Sequence, residues 1–422
     1  MYWLIETEDQ IQELLNKNLT DIFVEVISTN DNVHPILNSV SCIYIKPLYN
    51  EKGYIVNISH SEALSVNMKL INGLFKTIDR IYTLDKKTFL YYFPIKNSID
   101  ISCNLPEIKN HKTKAHDFFY NKHPDYLNIN NVIPIYKHYE YCENLYNQIK
   151  DYITVCSDFY NKAALAFFGI EKNGIKIDEE LFDNFFHPHN KEFSISNGKI
   201  FTHYNLLTTT KRPSNTFNNI NFAALNKDNG GRMVFIPEND KFCEIDISAY
   251  HPTLAARLVG FDFGDKDIHQ SFAEMYGVDY KEAKFITFRQ LYGGIYNEYK
   301  DLPFFKKVQE HIDFLWDVFN TSGYIECPIS NYRFYKDRLT NMSPQKLFNY
   351  LLQNLETSQN VLILMEIHKL LVKKKTKIVL YTYDSFLFDL DLNEIDLLED
   401  IKKVFKKLNL QIKISYGNNY DF

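Results

Sequence analysis

The stretch "KIVLYTYDSFLFDL", residues 377–390, reads as strand, break, strand with an aspartate at its centre. Ile378, Val379, Leu380 and Tyr381 before the break, and Phe386, Leu387 and Phe388 after it, are the residues of a buried β-hairpin. An ionised carboxylate among such side chains is expelled unless a cation or several donors compensate it. Asp384 therefore needs a partner.

A second carboxylate stands in "FCEIDISAYHPTLAARL", residues 242–258. Phe242, Ile245 and Ile247 are strand residues, and "HPTLAARL" opens a helix with Pro252 near its first turn, where proline is tolerated. Asp246 is thereby placed at a strand's end. Two carboxylates on adjacent strands suit a pair of Mg²⁺ ions roughly 3.5–4 Å apart, the arrangement of phosphoryl transfer. An aspartate at a strand end also serves as a cap or turn residue, and more often. A third segment, "YKEAKFITFRQLYGG" at 280–294, predicts a helix stopped by Gly293-Gly294. Lys284, Phe288 and Tyr292 are spaced four apart and share one face. That face offers an ammonium for a triphosphate and two rings for a sugar or base; an aromatic core stripe with a snorkelling lysine would read the same way.

Bulk properties bound the answer loosely. The chain has 422 residues, 45% hydrophobic and 24% charged, as in ordinary globular proteins with two or three domains. The formal net charge of −6 gives no global basic field, though a local basic cleft is compatible with it. The cysteines (Cys42, Cys103, Cys142, Cys156, Cys243, Cys327) are scattered, with neither zinc spacing nor a disulfide framework, which favours a reducing cytoplasm. Neither a signal peptide nor an apolar run of transmembrane length is present. Upstream, "DIFVEVIS", "SCIYIKPL", "GYIVNISH" and "RIYTL" predict strands of an α/β domain over about 1–135. Residues 136–172 carry helical periodicity to a turn at Asn173-Gly174, "GYIECPISNYRFY" predicts a hairpin, and 344–373 a long helix.

Taken in order, these pieces resemble the family A DNA polymerases. "EIDISAYHPTLAARL" is similar to that family's motif A with its metal aspartate at Asp246, and the Asp384 hairpin to motif C. Asp267, Ile268 and His269 match an Asp-Ile-His of the fingers, and Lys284, Phe288, Tyr292 and Gly293 match the nucleotide-binding helix. "TTTKRPSN" matches a Thr-rich segment whose arginine, here Arg212, contacts primer or template phosphate; Asn349 and Gln353 match a helix facing the minor groove. The resemblance implies a multidomain α+β and α/β fold: a degenerate exonuclease domain of the ribonuclease H-like type over 1–135, a reduced thumb over 136–200, palm at 201–260 and 345–422, and fingers at 261–344. It implies two Mg²⁺ ions, or Mn²⁺ in their place, on Asp246, Asp384 and the Ile247 carbonyl. It implies a nucleotide pocket of Ile247, His251, His269, Lys281, Lys284, Phe288 and Tyr292. The implied activity is template-directed addition of dNTPs to a primer 3′ end, in a phage or similar genome and in the host cytoplasm, with primer-template DNA and a processivity partner but no membrane.

The chain departs from the family pattern at several places. His251 stands where a pocket-closing glutamate is usual, Ser385 follows Asp384 where a glutamate is usual, and Tyr280 stands where an arginine is expected, leaving Lys281 as its substitute. In the first domain an Asp-x-Glu pair is reduced to Glu25 with Ile27, and Asp85, Asp100 and Asp117 fall roughly where later acids might stand. Only 38 positions separate Gly174 from Arg212, where the family extends a long helical thumb and two helices of about 20 residues with a connection need roughly 45, so the thumb tip is expected to be absent. A single-subunit RNA polymerase or primase-like enzyme shares the same palm, and a non-catalytic replication factor is the rival of another class.

Overall fold

The computed structural model describes residues 2–31, 33–49, 52–102, 130–153, 157–186, 193–215, 220–226, 229–264 and 266–422. The chain divides into two compact units, Met1–Leu207 with Ser214–Ile236, and Thr208–Pro213 with Pro237–Phe422.

The first unit is built on a six-stranded sheet. Its elements are β1 (Trp3–Ile5), α1 (Glu8–Leu15), β2 (Asp21–Ser28), β3 (Val40–Pro47), β4 (Tyr54–Asn57), α2 (Met68–Lys76), β5 (Arg80–Thr83), α3 (Lys86–Tyr92) and β6 (Ile99–Asp100). The order is β1-β4-β3-β2-β5-β6; β2, β3 and β4 run antiparallel and the outer pairings are parallel. Period-two alternation puts Ile22, Val24, Ile43, Ile45 and Val56 in one core with Ile11 and Leu14 of α1 and Ile71, Leu74 and Phe75 of α2. All four strands read from the sequence form. On the other face of β2, Glu25 and Ile27 are both buried. Asp85 caps α3 by accepting from Thr88 N, and Asp100 accepts from the backbone of Lys86 and Ser102, so both acids hold local structure. Asp117 lies outside the described residues.

The helix expected over 136–172 is two helices, α4 (Ile135–Ile149) and α5 (Asp158–Glu171). The first ends in a single tighter 3-10 turn, Lys150–Tyr152, and Ser157 takes the N-cap position of α5. Past α5 the chain turns at Gly174, whose φ is +63° and where an added Cβ would lie 2.8 Å from the Phe201 ring. There follow β7 (Ile175–Lys176), α6 (Glu179–Phe186), β8 (Ile195–Ser196) and β9 (Lys199–Ile200), in a small sheet ordered β7-β9-β8. Ser214–Asn215 is a short strand (β11) antiparallel to β10 (Tyr204–Asn205).

The second unit carries β12 (Lys241–Ile247), α7 (Tyr250–Leu258), α8 (Ile268–Tyr276), α9 (Tyr280–Gly293), α10 (Pro303–Ser322), β13 (Tyr324–Glu326), β14 (Arg333–Tyr335), α11 (Pro344–Leu370), β15 (Lys377–Thr382), β16 (Ser385–Leu390), α12 (Leu397–Lys407) and β17 (Ile412–Gly417). Its sheet is antiparallel throughout, in the order β15-β16-β12-β17. Register pairs Ile245 with Phe386 and Cys243 with Phe388, stacking apolar side chains on one face. Glu244 and Asp246 alternate onto the other face and are only half-buried. The 27-residue α11 packs against α7, α9, α10 and α12 and is the centre of this unit. Among the described residues, no helix is long and apolar enough to cross a membrane.

Candidate functional site

Asp246 and Asp384 meet because β12 and β16 pair. Asp246 is in register with Ser385, and the Ile247 amide donates to the Asp384 carbonyl at 2.8 Å. Both aspartates adjoin left-handed backbone: Tyr383 has φ +67° in the hairpin turn, and Ala249 has φ +48° where β12 bends into α7. A bulky residue in that region is strained by about 1–3 kcal/mol and persists only where its surroundings hold it. Two groups hold Tyr383. Asn360 of α11 donates to its carbonyl at 2.6 Å, and the Arg212 guanidinium lies 3.6 Å over its ring.

Asp384 is exposed at the surface, yet protein atoms surround its carboxyl closely enough to desolvate it. Its carboxyl is pushed up to about 6, first by burial, then by the charges of Asp246 and Glu356; Arg212 opposes them. A carboxylate raised by its neighbour's charge in this way is a natural site for a cation, which would relieve both the desolvation and the repulsion. The residues present thus fit a divalent metal held by oxygen ligands. Asp389, also on β16, has a different occupation: it accepts from the Glu238 and Asn239 amides at 2.9 Å.

From the carboxylates a chain of contacts runs to α9. Glu356 of α11, only 2% exposed, has Oε2 2.8 Å from Arg212 Nε and Oε1 3.5 Å from His251 Nε2. The Tyr292 hydroxyl lies 2.7 Å from His251 Nδ1. Tyr292 is held protonated, first by burial and then by the Glu356 charge, so the tautomer that suits both neighbours carries its proton on Nε2. Phe288 stacks parallel to Tyr292 with centroids 5.8 Å apart, and Asn349 donates to the Tyr292 carbonyl at 2.9 Å. Gln353 accepts from Thr210 at 3.1 Å. Burial alone would lower the Arg212 guanidinium, but Glu356 and the tyrosines around it outweigh that and raise it, so Arg212 stays charged.

His269, in the first turn of α8, is 2% exposed and stands between Tyr280 and Phe288 at 5.6 and 5.9 Å. Burial and then the Lys284 charge hold its pKa below the ordinary value. Neither of its ring nitrogens has a hydrogen-bond partner, nor has Asn349 Oδ1, and His251 Nε2 faces Glu356 at 3.5 Å in an electrostatic contact rather than a hydrogen bond. Buried polar atoms without partners are uncommon in folded proteins, and these gather around one place. Lys281 and Lys284 are exposed on α9.

The structure therefore brings Arg212, Asp246, Ile247, His251, His269, Phe288, Tyr292, Asn349, Gln353 and Asp384 into one unit, with Lys281 and Lys284 on the same helix as Tyr292. Sequence reading missed Glu356 and Asn360. A signal existed: Glu356, Thr357, Ser358, Gln359 and Asn360 form an unbroken polar run in the middle of the helix, and all five are buried. A run of that kind is solvated on a surface helix; only the helix's central position turns it into a set of contacts.

No protein-family model matches this sequence, and no curated protein matches it. Among solved structures, the fold is similar to the POL domain of Pol1 from M. smegmatis in complex with a DNA primer-template and dNTP. The TM-score is 0.73 at 12% sequence identity, and the match covers 99% of this chain and 99% of that chain. At that identity the likeness is one of fold.

Proposed function

We propose that this chain is a template-directed DNA polymerase of the family A type, adding dNTPs to a primer 3′ end by two-metal phosphoryl transfer. The observation that carries the reading is the pairing of Asp246 and Asp384 on adjacent strands, where burial and mutual charge push Asp384 up to about 6. The likeness of fold to a polymerase domain over nearly the whole chain supports it.

Bound by Asp246, Asp384 and the Ile247 carbonyl, Mg²⁺ would acidify the primer hydroxyl and neutralise charge on the triphosphate. The chain's own residues do the rest. Lys284 and His269 donate to the triphosphate, with Lys281 as a further cation in place of the arginine absent at 280. Tyr292, stacked on Phe288 and fixed by Asn349, forms one wall of the sugar pocket, and His251 closes it. Arg212, Asn349 and Gln353 register the duplex through phosphate, sugar and minor-groove edges, where readout is tolerant of sequence.

The first sheet's order, three antiparallel strands continued by parallel ones, supports reading the N-terminal region as a ribonuclease H-like exonuclease-type fold, and Ile27 beside Glu25 supports reading it as inactive. The unit of α4 to α6 would be the reduced thumb, α8 to α10 the fingers and the β12 sheet the palm. We place the protein in the cytoplasm, that of the host if its gene belongs to a phage. Primer extension with dNTPs or rNTPs and Mg²⁺ tests the reading. Mg²⁺-dependent dNTP extension that is lost in Asp246→Ala and Asp384→Ala is expected. Preference for rNTPs would move it to the RNA polymerases, and no extension by the folded wild-type chain would overturn it.

A further inference from the structure

We infer that Glu356 is a positioning residue, the buried carboxylate through which the sugar-facing His251–Tyr292 pair is held to Arg212 and the Asp384 hairpin. The inference rests on the polymerase reading for its function, but its geometry stands alone. At 2% exposure the Glu356 carboxylate is cut off from water and depends on charged or polar partners within the fold. Arg212 supplies the counter-charge at 2.8 Å, and His251 presents Nε2 at 3.5 Å. Neither partner is idle. Arg212 covers Tyr383, the strained residue before Asp384, at 3.6 Å, while His251 shares the Tyr292 hydroxyl at 2.7 Å. One carboxylate on the rigid α11 therefore reaches both the metal-facing hairpin and the aromatic wall on α9.

A neutral side chain of the same shape would break this arrangement at two points. It would leave the half-buried Arg212 guanidinium without its counter-charge, and it would release the imidazole from the tautomer that keeps Nδ1 open to Tyr292. The sugar wall would then be free to yield to a 2′-hydroxyl. Glu356 would act on sugar selection without touching the sugar.

A merely structural counter-ion of Arg212 would lower stability and turnover together while leaving sugar preference alone, and two measurements on the full chain separate the cases. The first needs no activity. In ¹⁵N-histidine-labelled protein, the His251 ring resonances, assigned by their loss in His251→Ala, shift in Glu356→Gln while those of His269 stay in place. Unshifted His251 resonances overturn the inference. The second is primer extension with dNTPs and rNTPs in competition. Glu356→Gln raises relative ribonucleotide use several-fold and by no more than His251→Ala does, the size of weakening the Tyr292–His251 hydrogen bond, chiefly through the KM for rNTPs. Added to His251→Ala, the same change has no further effect, because its route is gone. An additive effect, or an unchanged ratio in an active variant, overturns the inference. A wild-type chain that extends no primer would instead remove the polymerase reading, with the resonance shift still deciding whether Glu356 holds His251.

Discussion

A carboxylate pushed up in pKa has a cost that a neutral side chain avoids. The folded pKa of Asp384, about 6, lies above its ordinary 3.8, so its ionised form opposes folding at neutral pH when metal is absent. That penalty is complete above about pH 6 and gone below about pH 4. Asp384→Asn is therefore expected to raise the Tm at pH 7.5 in EDTA by about 1–3 °C and to change nothing near pH 4. Mg²⁺ should raise the wild-type Tm more than that of the variant, and primer extension should be lost. Equal melting of both proteins at pH 7.5 would remove the repulsion from the account. His251 belongs to the same scale. Cut back to alanine, it leaves Tyr292 without its 2.7 Å partner, and relative ribonucleotide incorporation should rise several-fold, about the effect of one hydrogen bond; an unchanged dNTP-to-rNTP ratio would take His251 out of the pocket wall.

α11 contributes through its buried polar run. Asn360 accepts from the Tyr250 hydroxyl at 2.8 Å and donates to Tyr381 Oη at 2.9 Å and to the Tyr383 carbonyl. Its amide thus ties α7, β15 and the hairpin turn to one point. Asn360→Leu keeps the branching and number of heavy atoms but none of these bonds, leaving three buried polar groups unpaired. The expected loss in urea unfolding is about 2–4 kcal/mol, with a further loss of primer extension in the fraction that folds because Tyr383 is no longer held. A change under about 0.5 kcal/mol would mean that the hairpin keeps its own shape.

For the whole molecule, stability and DNA holding are separate questions. In the first unit Lys87 Nζ lies 2.5 Å from Glu171 Oε1, both are buried, and Glu171 also accepts from the Tyr204 amide at 2.6 Å. Removing one partner strands the other charge, so Glu171→Ala should cost about 3–5 kcal/mol, whereas Lys87→Met with Glu171→Leu should recover most of it. Calorimetry of the three proteins checks this; a double variant as unstable as the single one would refute it. DNA holding turns on the 38 positions between Gly174 and Arg212, which α6 and several two-residue strands occupy among the described residues. Few backbone contacts at a net charge of −6 imply weak, salt-sensitive grip. Under a trap of competitor DNA the isolated protein should add only a few nucleotides per encounter; products hundreds long without a partner would contradict it.

The hairpin at 377–390, the strand at 241–247, the glycine-stopped helix at 280–293 and the strands of the first sheet were all legible in the sequence. Each is set by local periodicity and turn chemistry, which act over a few residues. Local patterning also exposed Asp246 and Asp384, since a carboxylate in an apolar strand needs a reason. It did not reveal the break between α4 and α5, because the helical periodicity continues on both sides of it. Nor did it reveal Glu356 or Asn360, because a polar run in a helix acquires partners only from what packs on every side of that helix. Burial decided their meaning: Glu356 lies 144 positions from Arg212 in sequence and 2.8 Å away in space, and only the tertiary fold could make that an ion pair.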